Sequence, residues 1–495
     1  MVQGTASHVG KSVIVAGLCR IFAQDGHRVT PFKSQNMALN SFVTRDGGEV
    51  GRAQAVQAIA AGLEPTVDMN PVLLKPTRDF ESQVIVHGRP VGNMRAGEYH
   101  LKFLEEALKA IEGSLRRLQG EYELIVIEGA GSPAEVNLKE YDVVNMRIAH
   151  LAKAPVLLVA DIDKGGVLAS IVGTLELLDP CERDLVAGFI INKFRGDIKL
   201  LEPAIDFLEE KTKRKVLGVV PFIRDLGIQE EDSISHPSLG SEEAEIKMVV
   251  VRLPHISNFT DFDHLNRENG VVVKFSTSSR DLENVDAIIL PGTKNTIEDM
   301  VWLWKSGLAE EILIQARKGR PILGICGGYQ MLGERIMDSE GVESRLTEIG
   351  GLALLPVITK FSSEKVTFQV EAEFLRATPL FPGVEGERIR GYEIHMGRVE
   401  LLSGRPIFKF RRGGEEIMEG ATDGSGRVFG TQLHDLFGNS SVRRSFINAL
   451  RRGKGLNPLG DDLVEDSFQD KALDEFANIL RRNLDMKKIY GLVGL

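Results

Sequence analysis

The amino-acid sequence predicts two α/β domains, each built on a mostly parallel β-sheet. At 495 residues the chain is longer than a typical single domain core. Short apolar runs alternate with amphipathic helical patterns through residues 1–225, which predicts buried parallel strands. The same alternation restarts at residue 247, after a polar, acidic and turn-rich stretch at residues 229–245 that predicts a linker.

These patterns divide the chain into two domains, a linker and a C-terminal tail. We expect a first α/β domain at residues 1–228, the linker at 229–245, a second α/β domain at 246–452 and a helical tail at 453–495. The predicted strands of the first domain are Met1–Gln3, Val29–Phe32, Glu123–Ile127, Pro155–Ala160, Val186–Ile191 and Val216–Pro221. Those of the second domain are Lys247–Leu253, Val271–Phe275, Ala287–Leu290 and Pro321–Gly324. In the tail, an amphipathic helix docked on an apolar surface is predicted by Leu473, Phe476, Ile479, Leu480 and Leu484.

Composition and charge argue against several classes of protein. A hydrophobic fraction of 43% and a charged fraction of 26% are typical of a globular enzyme. A net charge of -10 argues against a general binder of nucleic-acid backbones, so we expect no nucleic-acid partner. No apolar stretch reaches the roughly 18–20 residues that a membrane span requires, so we expect no membrane partner. Three widely spaced cysteines, Cys19, Cys181 and Cys326, indicate neither disulfides nor a zinc site and favour a cytoplasmic location.

A glycine-rich loop, GTASHVGKS, lies between a short apolar segment and a helical pattern. In such a loop, backbone N–H groups and a helix N-terminus surround phosphate oxygens. Lys11 adds a positive charge, and the hydroxyl of Ser12 can ligate Mg²⁺. The loop therefore predicts nucleotide binding, and the alternative is a glycine-rich turn without a chemical role. The predicted nucleotide-binding residues of the loop are Gly4, Thr5, Val9, Gly10, Lys11 and Ser12.

The spacing of this loop narrows the class of enzyme. Five residues separate Gly4 from Gly10, one more than in the standard P-loop. The longer form resembles the loop of dethiobiotin-synthetase-like ATP enzymes. Because the preceding strand has only three residues, the sequence leaves open whether the native chain begins upstream of Met1.

Two polar residues at other strand ends are candidates for the same site. Glu128 ends the apolar run LeuIleValIle and is predicted to ligate Mg²⁺, because ligands bind at the carboxyl ends of parallel strands. A solvated acid at a strand end is the alternative. Asn192, at another strand end, is predicted to read the nucleotide base, and a simple turn residue is the alternative.

The segment RPILGICGGYQMLG predicts a nucleophile at Cys326, between a short strand and a helix. The N–H groups that follow, including that of Gly327, and the helix dipole would lower the thiol pKa and bind an oxyanion. A cysteine in this position is able to attack the carboxamide of glutamine and release ammonia. For Cys19 and Cys181 we prefer a buried structural thiol.

The expected partner of Cys326 is His434, about a hundred positions downstream in VFGTQLHDLFG. This segment resembles the G-x-Q-x-H strand of class I glutamine amidotransferases. The usual pattern has a glutamate two residues after the histidine, where this chain has Leu436, and Asp435 would point to the opposite face of a strand. The third member of the triad is therefore left open. The loop LPGTKNT predicts a second oxyanion donor, a backbone N–H near Gly292 or Thr293, with a plain turn as the alternative.

A set of motifs along nearly the whole chain resembles the cobyric acid synthase family of cobalamin biosynthesis. The motifs are QGTASHVGKS, PFKSQNMALNS, IEGAGSPAEVNL, ADIDKGG, NKFRGD, PHISNFTDFD, GICGGYQMLG and RGYEIHMGR. The resemblance implies a dethiobiotin-synthetase-like domain fused to a class I glutamine amidotransferase-like domain. It also implies amidation of the b, d, e and g carboxylates of adenosylcobyrinic acid a,c-diamide, with ATP, Mg²⁺ and L-glutamine, through an acyl phosphate.

Two further residues are candidates for contact with substrate, Asp142 from the resemblance and His395 from its neighbours in the sequence. Asp142 is a candidate for positioning the phosphorylated carboxylate, and a helix N-cap is the alternative. His395 lies in a segment expected to face a ligand and ranks below His434 as a base; a structural histidine is equally expected. Two other functions stay open: cobyrinic acid a,c-diamide synthase, which shares both domains, and a P-loop regulatory ATPase with an inert glutaminase-like domain.

Overall fold

The computed structural model describes residues 1–78, 81–224, 226–229, 244–460 and 468–495. The strands of the first half are β1 (Val2–Gly4), β2 (Val29–Phe32), β3 (Gln35–Met37), β4 (Ser41–Val43), β5 (Glu49–Gly51), β6 (Val72–Arg78), β7 (Glu81–Val86), β8 (Arg89–Arg95), β9 (Leu124–Ile127), β10 (Val156–Asp161), β11 (Val186–Phe194) and β12 (Lys215–Pro221). Those of the second half are β13 (Ile246–Val251), β14 (Val271–Ser276), β15 (Ala287–Leu290), β16 (Ile322–Ile325), β17 (Arg335–Met337), β18 (Glu348–Gly350), β19 (Val357–Phe374), β20 (Arg388–Leu401), β21 (Phe408–Arg412), β22 (Glu415–Glu419), β23 (Ala421–Thr422) and β24 (Val428–Thr431).

Helices connect these strands and cover the sheets. They are α1 (Lys11–Gln24), α2 (Arg52–Ala60), α3 (Ala96–Glu98), α4 (Leu104–Glu121), α5 (Met146–Ala152), α6 (Val167–Leu177), α7 (Pro180–Leu185), α8 (Ile198–Thr212), α9 (Asp263–Asn266), α10 (Thr296–Lys305), α11 (Leu308–Arg317), α12 (Gly327–Leu332), α13 (Ser440–Gly453), α14 (Phe468–Asn483) and α15 (Met486–Val493). Both halves are therefore α/β, as the sequence predicts. Among the described residues, no helix is long and apolar enough to cross a membrane.

The central sheet of the first domain is parallel, with strand order β1-β10-β11-β12. Alternate residues of β10 enter two different cores: Val159 packs on the face covered by α1, and Leu158 on the face covered by α6 and α8. This period of two explains why the strand is apolar throughout, since both faces are buried. The parallel pair β2-β9 continues the sheet through a bridge between Val2 and Glu128, so Glu128 lies beside the strand that leads into the phosphate loop.

The first domain also contains smaller sheets that the apolar pattern did not predict. Strands β3, β6, β7 and β8 form one sheet, and β4 pairs with β5 in an antiparallel hairpin. Many of their residues are polar and several are buried, so these strands lack the continuous apolar runs from which strands were predicted.

The second domain has the predicted parallel sheet, with order β14-β13-β15-β16-β24-β23. The expectation of a mostly parallel domain is incomplete, because β17 to β22 form a second sheet that is largely antiparallel. Its two long strands, β19 and β20, alternate buried and exposed residues and extend to the β4 strand of the first domain.

The C-terminal tail packs on the first domain, although it follows the second domain in sequence. Leu473, Phe476, Leu480 and Leu484 belong to the same core as α1 and β1. At Gly218 of β12 the tail approaches so closely that a Cβ atom would lie 2.1 Å from the carbonyl oxygen of Asn483. The predicted amphipathic helix therefore completes the first domain; most of the predicted linker lies outside the described residues.

Candidate functional site

The phosphate loop connects β1 to α1 at the carboxyl end of the first sheet. Gly10 adopts φ 99°, a conformation that glycine tolerates best. A Cβ atom there would also lie 2.2 Å from Nδ2 of Asn192. Asn192 Nδ2 donates to the carbonyl oxygen of Val9 at 2.8 Å, so this side chain supports the loop backbone. Its expected contact with a nucleotide base stays a prediction.

The other predicted loop residues lie around the same turn. Thr5 N donates to the carbonyl oxygen of Val159 at 2.9 Å, which fixes the start of the loop to β10. A Cβ atom at Gly4 would lie 3.0 Å from Nζ of Lys11, and this ammonium donates to the carbonyl oxygens of Ala6 and Gly131 at 3.0 and 3.1 Å. Lys11 thus spans the opening of the loop.

Glu128 is buried against the loop and accepts several hydrogen bonds. Ser12 Oγ donates to Oε1 at 2.8 Å, Lys33 Nζ lies 2.9 Å from the same oxygen, and Gln57 Nε2 donates to Oε2 at 2.5 Å. Burial by itself would raise the pKa of Glu128, but the Lys33 ammonium and these hydrogen bonds hold it below its usual value. The carboxylate is therefore ionised and faces the phosphate loop.

A cavity of about 680 Å³ opens in front of this carboxylate. It is lined by Lys11, Ser12, Glu128, Asn192 and also by Phe476 of the tail. Asp142 does not line it: its carboxylate accepts from the backbone N–H groups of Val144, Asn145 and Arg147 at 2.8 to 3.0 Å. These bonds hold the turn that leads into α5, whose N-cap residue is Asn145 and not Asp142. The substrate role of Asp142 stays a prediction.

Cys326 lies at a sharp turn between β16 and α12, with φ 50° and ψ −110°. A non-glycine residue in this region is strained by roughly 1–3 kcal/mol, which is typical of a nucleophile held at a strand-to-helix turn. The following glycines permit the close packing of α12: a Cβ atom at Gly328 would lie 1.9 Å from the carbonyl oxygen of Leu290. The sequence therefore folds into the predicted elbow.

The two predicted oxyanion residues lie on either side of this turn. A Cβ atom at Gly327 would lie 3.1 Å from the backbone nitrogen of Thr293. A Cβ atom at Gly292 would lie 3.0 Å from Cε1 of His434. The loop after β15 and the start of α12 thus lie close together beside Cys326. The expected role of Gly292 and Gly327 as oxyanion donors stays a prediction.

His434 is buried, and its Nδ1 lies 2.6 Å from Oδ2 of Asp261. Burial by itself lowers the pKa of His434, but the Asp261 carboxylate and the neighbouring Cys326 raise it by more, to about 10. The ring of Tyr392 stacks on the imidazole, with a centroid distance of 5.0 Å and an angle of 12°. The imidazole is therefore held in one orientation, and the Asp261 carboxylate favours its protonated form.

Asp261 contacts His434 in the way expected of the third triad member, which the sequence left unassigned because Leu436 stands at the usual glutamate position. Leu436 itself is buried in the apolar core. Sequence spacing did not reveal Asp261, since it precedes His434 by 173 positions on another element. It does lie in PHISNFTDFD, one of the motifs of the family resemblance, and Lys33 likewise lies in PFKSQNMALNS. Their presence in these two motifs was the feature of the sequence from which both residues could have been predicted.

His395 lies between two cavities. Its Nδ1 is 2.8 Å from the carbonyl oxygen of Gly397, and its Nε2 is 3.0 Å from Oε1 of Glu393. It lines a cavity of about 30 Å³ that also contains Cys326, and a second one of about 830 Å³. Both ring nitrogens have protein partners, so the structural alternative accounts for its contacts and the substrate role stays a prediction.

The family models that match this chain agree with its two domains. Residues 1–234 match the CobQ/CobB/MinD/ParA nucleotide binding domain, and residues 247–442 match the CobB/CobQ-like glutamine amidotransferase domain. Among solved structures, PurLQS from Thermotoga maritima is 22% identical in sequence, with a TM-score of 0.34. The alignment covers 42% of this chain and 99% of that chain.

Curated relatives match over the entire chain. The cobyric acid synthase of Moorella thermoacetica is 53% identical and covers 100% of this chain and 97% of its own length. Those of Pelotomaculum thermopropionicum and Dehalococcoides mccartyi are 51% and 50% identical, cover 100% of this chain, and match over 96% and 98% of their own lengths. With a glutamine amidotransferase domain and a nucleotide-binding domain, the chain belongs to the cobyric acid synthase family, whose members are glutamine-dependent amide-forming ligases of cobalamin biosynthesis.

Proposed function

We propose that this chain converts adenosylcobyrinic acid a,c-diamide into adenosylcobyric acid by amidating the b, d, e and g side-chain carboxylates. The observation that carries the proposal is the pairing, in one chain, of a phosphate loop faced by a buried carboxylate with a cysteine–histidine–aspartate group. The first is suited to activating a carboxylate with ATP, and the second to releasing ammonia from L-glutamine. Curated relatives named cobyric acid synthase support the choice of substrate.

In the first domain, a corrinoid carboxylate oxygen attacks the γ-phosphorus of ATP, and ADP leaves with the electrons of the broken P–O bond. Ammonia then attacks the acyl carbon of the acyl phosphate, and inorganic phosphate leaves. Lys11 would neutralise the negative charge that develops on the phosphate oxygens, and the loop N–H groups would orient them.

The residues around Glu128 fit a magnesium ion. Ser12 Oγ and the Glu128 carboxylate are oxygen donors, the type that Mg²⁺ prefers, and they lie 2.8 Å apart at the phosphate loop. Bound there with ATP, the ion would neutralise phosphate charge. Lys33, on the same carboxylate, would keep Glu128 ionised for this purpose.

In the second domain, the Cys326 thiolate attacks the side-chain carbonyl of glutamine, and N–H groups at Gly292 and Gly327 stabilise the oxyanion. The His434 imidazolium donates its proton to the departing nitrogen, which leaves as ammonia, and a thioester remains. Water then hydrolyses the thioester to glutamate. Asp261 positions His434 and stabilises the imidazolium.

Substrate choice tests the proposal directly. We expect ATP turnover to depend on corrinoid, and kcat/KM for the a,c-diamide to exceed that for the unamidated acid by at least about tenfold, since the site would be shaped for a corrinoid already amidated at a and c. A preference for the unamidated acid would identify an a,c-diamide synthase instead. ATP turnover that ignores corrinoids would indicate a regulatory ATPase.

Changing the nitrogen source separates the two half-reactions. Cys326→Ala should lose glutamine-driven amide synthesis by at least about 10³-fold but keep synthesis from ammonium salt at high pH, because free ammonia bypasses the thioester. His434→Ala should behave in the same way, whereas His395→Ala should impair both nitrogen sources if His395 contacts the corrinoid. Loss of ammonium-driven synthesis in folded Cys326→Ala protein would contradict this division of labour.

Glu128→Gln preserves the shape of the side chain but removes its charge. We expect the Mg²⁺ concentration needed for half-maximal ATP turnover to rise by about 10- to 100-fold, while glutamine hydrolysis changes far less. Titration of Mg²⁺ at fixed ATP measures the effect. A titration curve identical to that of the unchanged protein would remove Glu128 from the metal site.

Asp261→Asn tests the positioning of His434. We expect kcat for glutamine hydrolysis to fall by roughly 10- to 10⁴-fold, the upper figure being the loss for a triad with the wrong histidine tautomer. Because the carboxylate raises the pKa of His434, its removal should also move the alkaline limb of the pH–rate profile to lower pH. Reduced activity with an unmoved alkaline limb would show that Asp261 is only structural.

A further inference from the structure

The 680 Å³ cavity beside the phosphate loop has a charged part and an apolar part. The charged part contains the groups suited to phosphate oxygens and a metal ion, Lys11, Ser12 and Glu128. The residues of the apolar part belong to one apolar cluster of the first domain, and they include Val13, Val56, Val220, Ile223, Leu226 and Ile228. A nucleoside triphosphate is divided in the same way, since charged phosphates lie at one end and a flat base at the other.

The C-terminal helix α14 reaches the apolar part of this cavity. Phe476 lines the cavity and belongs to the same apolar cluster. Helix α14 approaches α1 most closely at Gly17, where a Cβ atom would lie 2.4 Å from Cδ1 of Leu480 and 3.0 Å from Cδ1 of Phe476. Gly17 follows Ala16, which also lines the cavity and lies about 7.5 Å along the helix axis from Lys11. The tail therefore meets α1 more than one helical turn beyond the phosphate-binding lysine.

The same helix holds the loop at residues 226–229, three of which line the cavity. Gly227 has φ 65°, and a Cβ atom there would lie 2.5 Å from Cε1 of Phe468 and 3.1 Å from Cβ of Ala472. The carbonyl oxygen of Gly227 accepts from Nη2 of Arg267 in the second domain at 2.8 Å. The Arg267 guanidinium also lies 4.3 Å from the centroid of the Phe468 ring. This wall of the cavity is therefore fixed by the tail and by the second domain.

We propose that α14 completes the base-binding part of the nucleotide site, with Phe476 against the purine base of ATP and with Phe468 and Arg267 holding the Gly227 loop beside it. The proposal rests on the proposed function for the use of ATP, and it gives the tail a role beyond packing on the first domain. Tight binding of ATP then requires the docked tail. By linkage, bound ATP stabilises the docked tail in turn.

The chemistry of this wall suits a purine base. An aromatic side chain offers a large, flat surface, and contact between an aromatic ring and a base is favourable for every base. Asn192, which is predicted to read the base, lies beside the same part of the cavity. A Cβ atom at Gly10 would lie 2.2 Å from Nδ2 of Asn192 and 3.7 Å from Cγ2 of Val13. A polar side chain for the edge of the base and apolar surface for its face are therefore close together.

The experiment compares the dissociation constants of ATP and of inorganic tripolyphosphate, both measured by calorimetry with Mg²⁺ on the whole chain. Tripolyphosphate can occupy the phosphate loop but carries no base, so it separates the two kinds of contact. Phe476→Leu removes the aromatic ring. Leu473→Ala is the matched control, because it removes an equal number of carbon atoms from the same buried cluster at a position outside the described lining of the cavity. Gly227→Ala is an independent variant, because its methyl group would push the loop away from Phe468.

We expect Phe476→Leu and Gly227→Ala to raise Kd for ATP by about three- to tenfold and to leave Kd for tripolyphosphate within about 1.5-fold. Leu473→Ala should leave both constants within about 1.5-fold. In the unchanged protein, ATP should slow amide hydrogen exchange in α14 by at least about threefold, whereas tripolyphosphate should not slow it. If Phe476→Leu does not fold, Gly227→Ala and the hydrogen exchange of the unchanged protein decide.

Equal changes in Kd for ATP and for tripolyphosphate would overturn the proposal, and so would an ATP effect of Leu473→Ala as large as that of Phe476→Leu. Hydrogen exchange in α14 that does not respond to ATP would also overturn it. If Kd for ATP is unchanged in Phe476→Leu while KM for the corrinoid rises, Phe476 contacts the corrinoid and not the base. These binding constants do not depend on amide formation. Failure of the proposed function is therefore a separate result, in which the unchanged protein makes no amide from the a,c-diamide.

Discussion

The structure depends on a reciprocal contact between two buried asparagines at the domain interface. The side-chain oxygen of Asn40 accepts from the backbone nitrogen of Phe259 at 3.1 Å, and that of Asn258 accepts from the backbone nitrogen of Ser41 at 3.0 Å. Unsatisfied, each of these buried groups would destabilise the interface by about 1–3 kcal/mol. These directional hydrogen bonds therefore set how the two domains are aligned at the interface. Apolar contacts alone would not specify this alignment.

Two sequence segments extend from this contact to the two reactive sites. The segment that contains Asn40 begins just after β2 with Lys33, whose ammonium contacts Glu128. The segment that contains Asn258 continues to Asp261, whose carboxylate contacts His434. A third connection runs through Arg52 at the start of α2, whose guanidinium donates to the Tyr392 hydroxyl at 2.7 Å. The ring of Tyr392 in turn stacks on His434, so the interface supports the glutaminase site as well as joining the domains.

The elements that could be predicted from the sequence are those whose pattern lies within a short segment of the chain. Cys326 and its glycines, and the phosphate loop with Lys11 and Ser12, were found because strand, turn and helix follow one another within a few residues. The sheet of β17 to β22 and the β3 to β8 strands were missed, since their half-polar patterns give no continuous apolar run. The helical period of the tail predicted an apolar partner but not that the partner is α1.

The sequence by itself determined the α/β class, the phosphate loop and the strand-to-helix turn at Cys326, because each depends on residues adjacent in the chain. Only the tertiary structure decided which carboxylate orients His434, since Asp261 reaches it across 173 positions and the expected position holds the buried Leu436. It also decided that Lys75, on β6 of the first domain, lines the Cys326 cavity. These contacts join elements that are distant in sequence, and packing of two complete domains is what brings them within hydrogen-bonding distance.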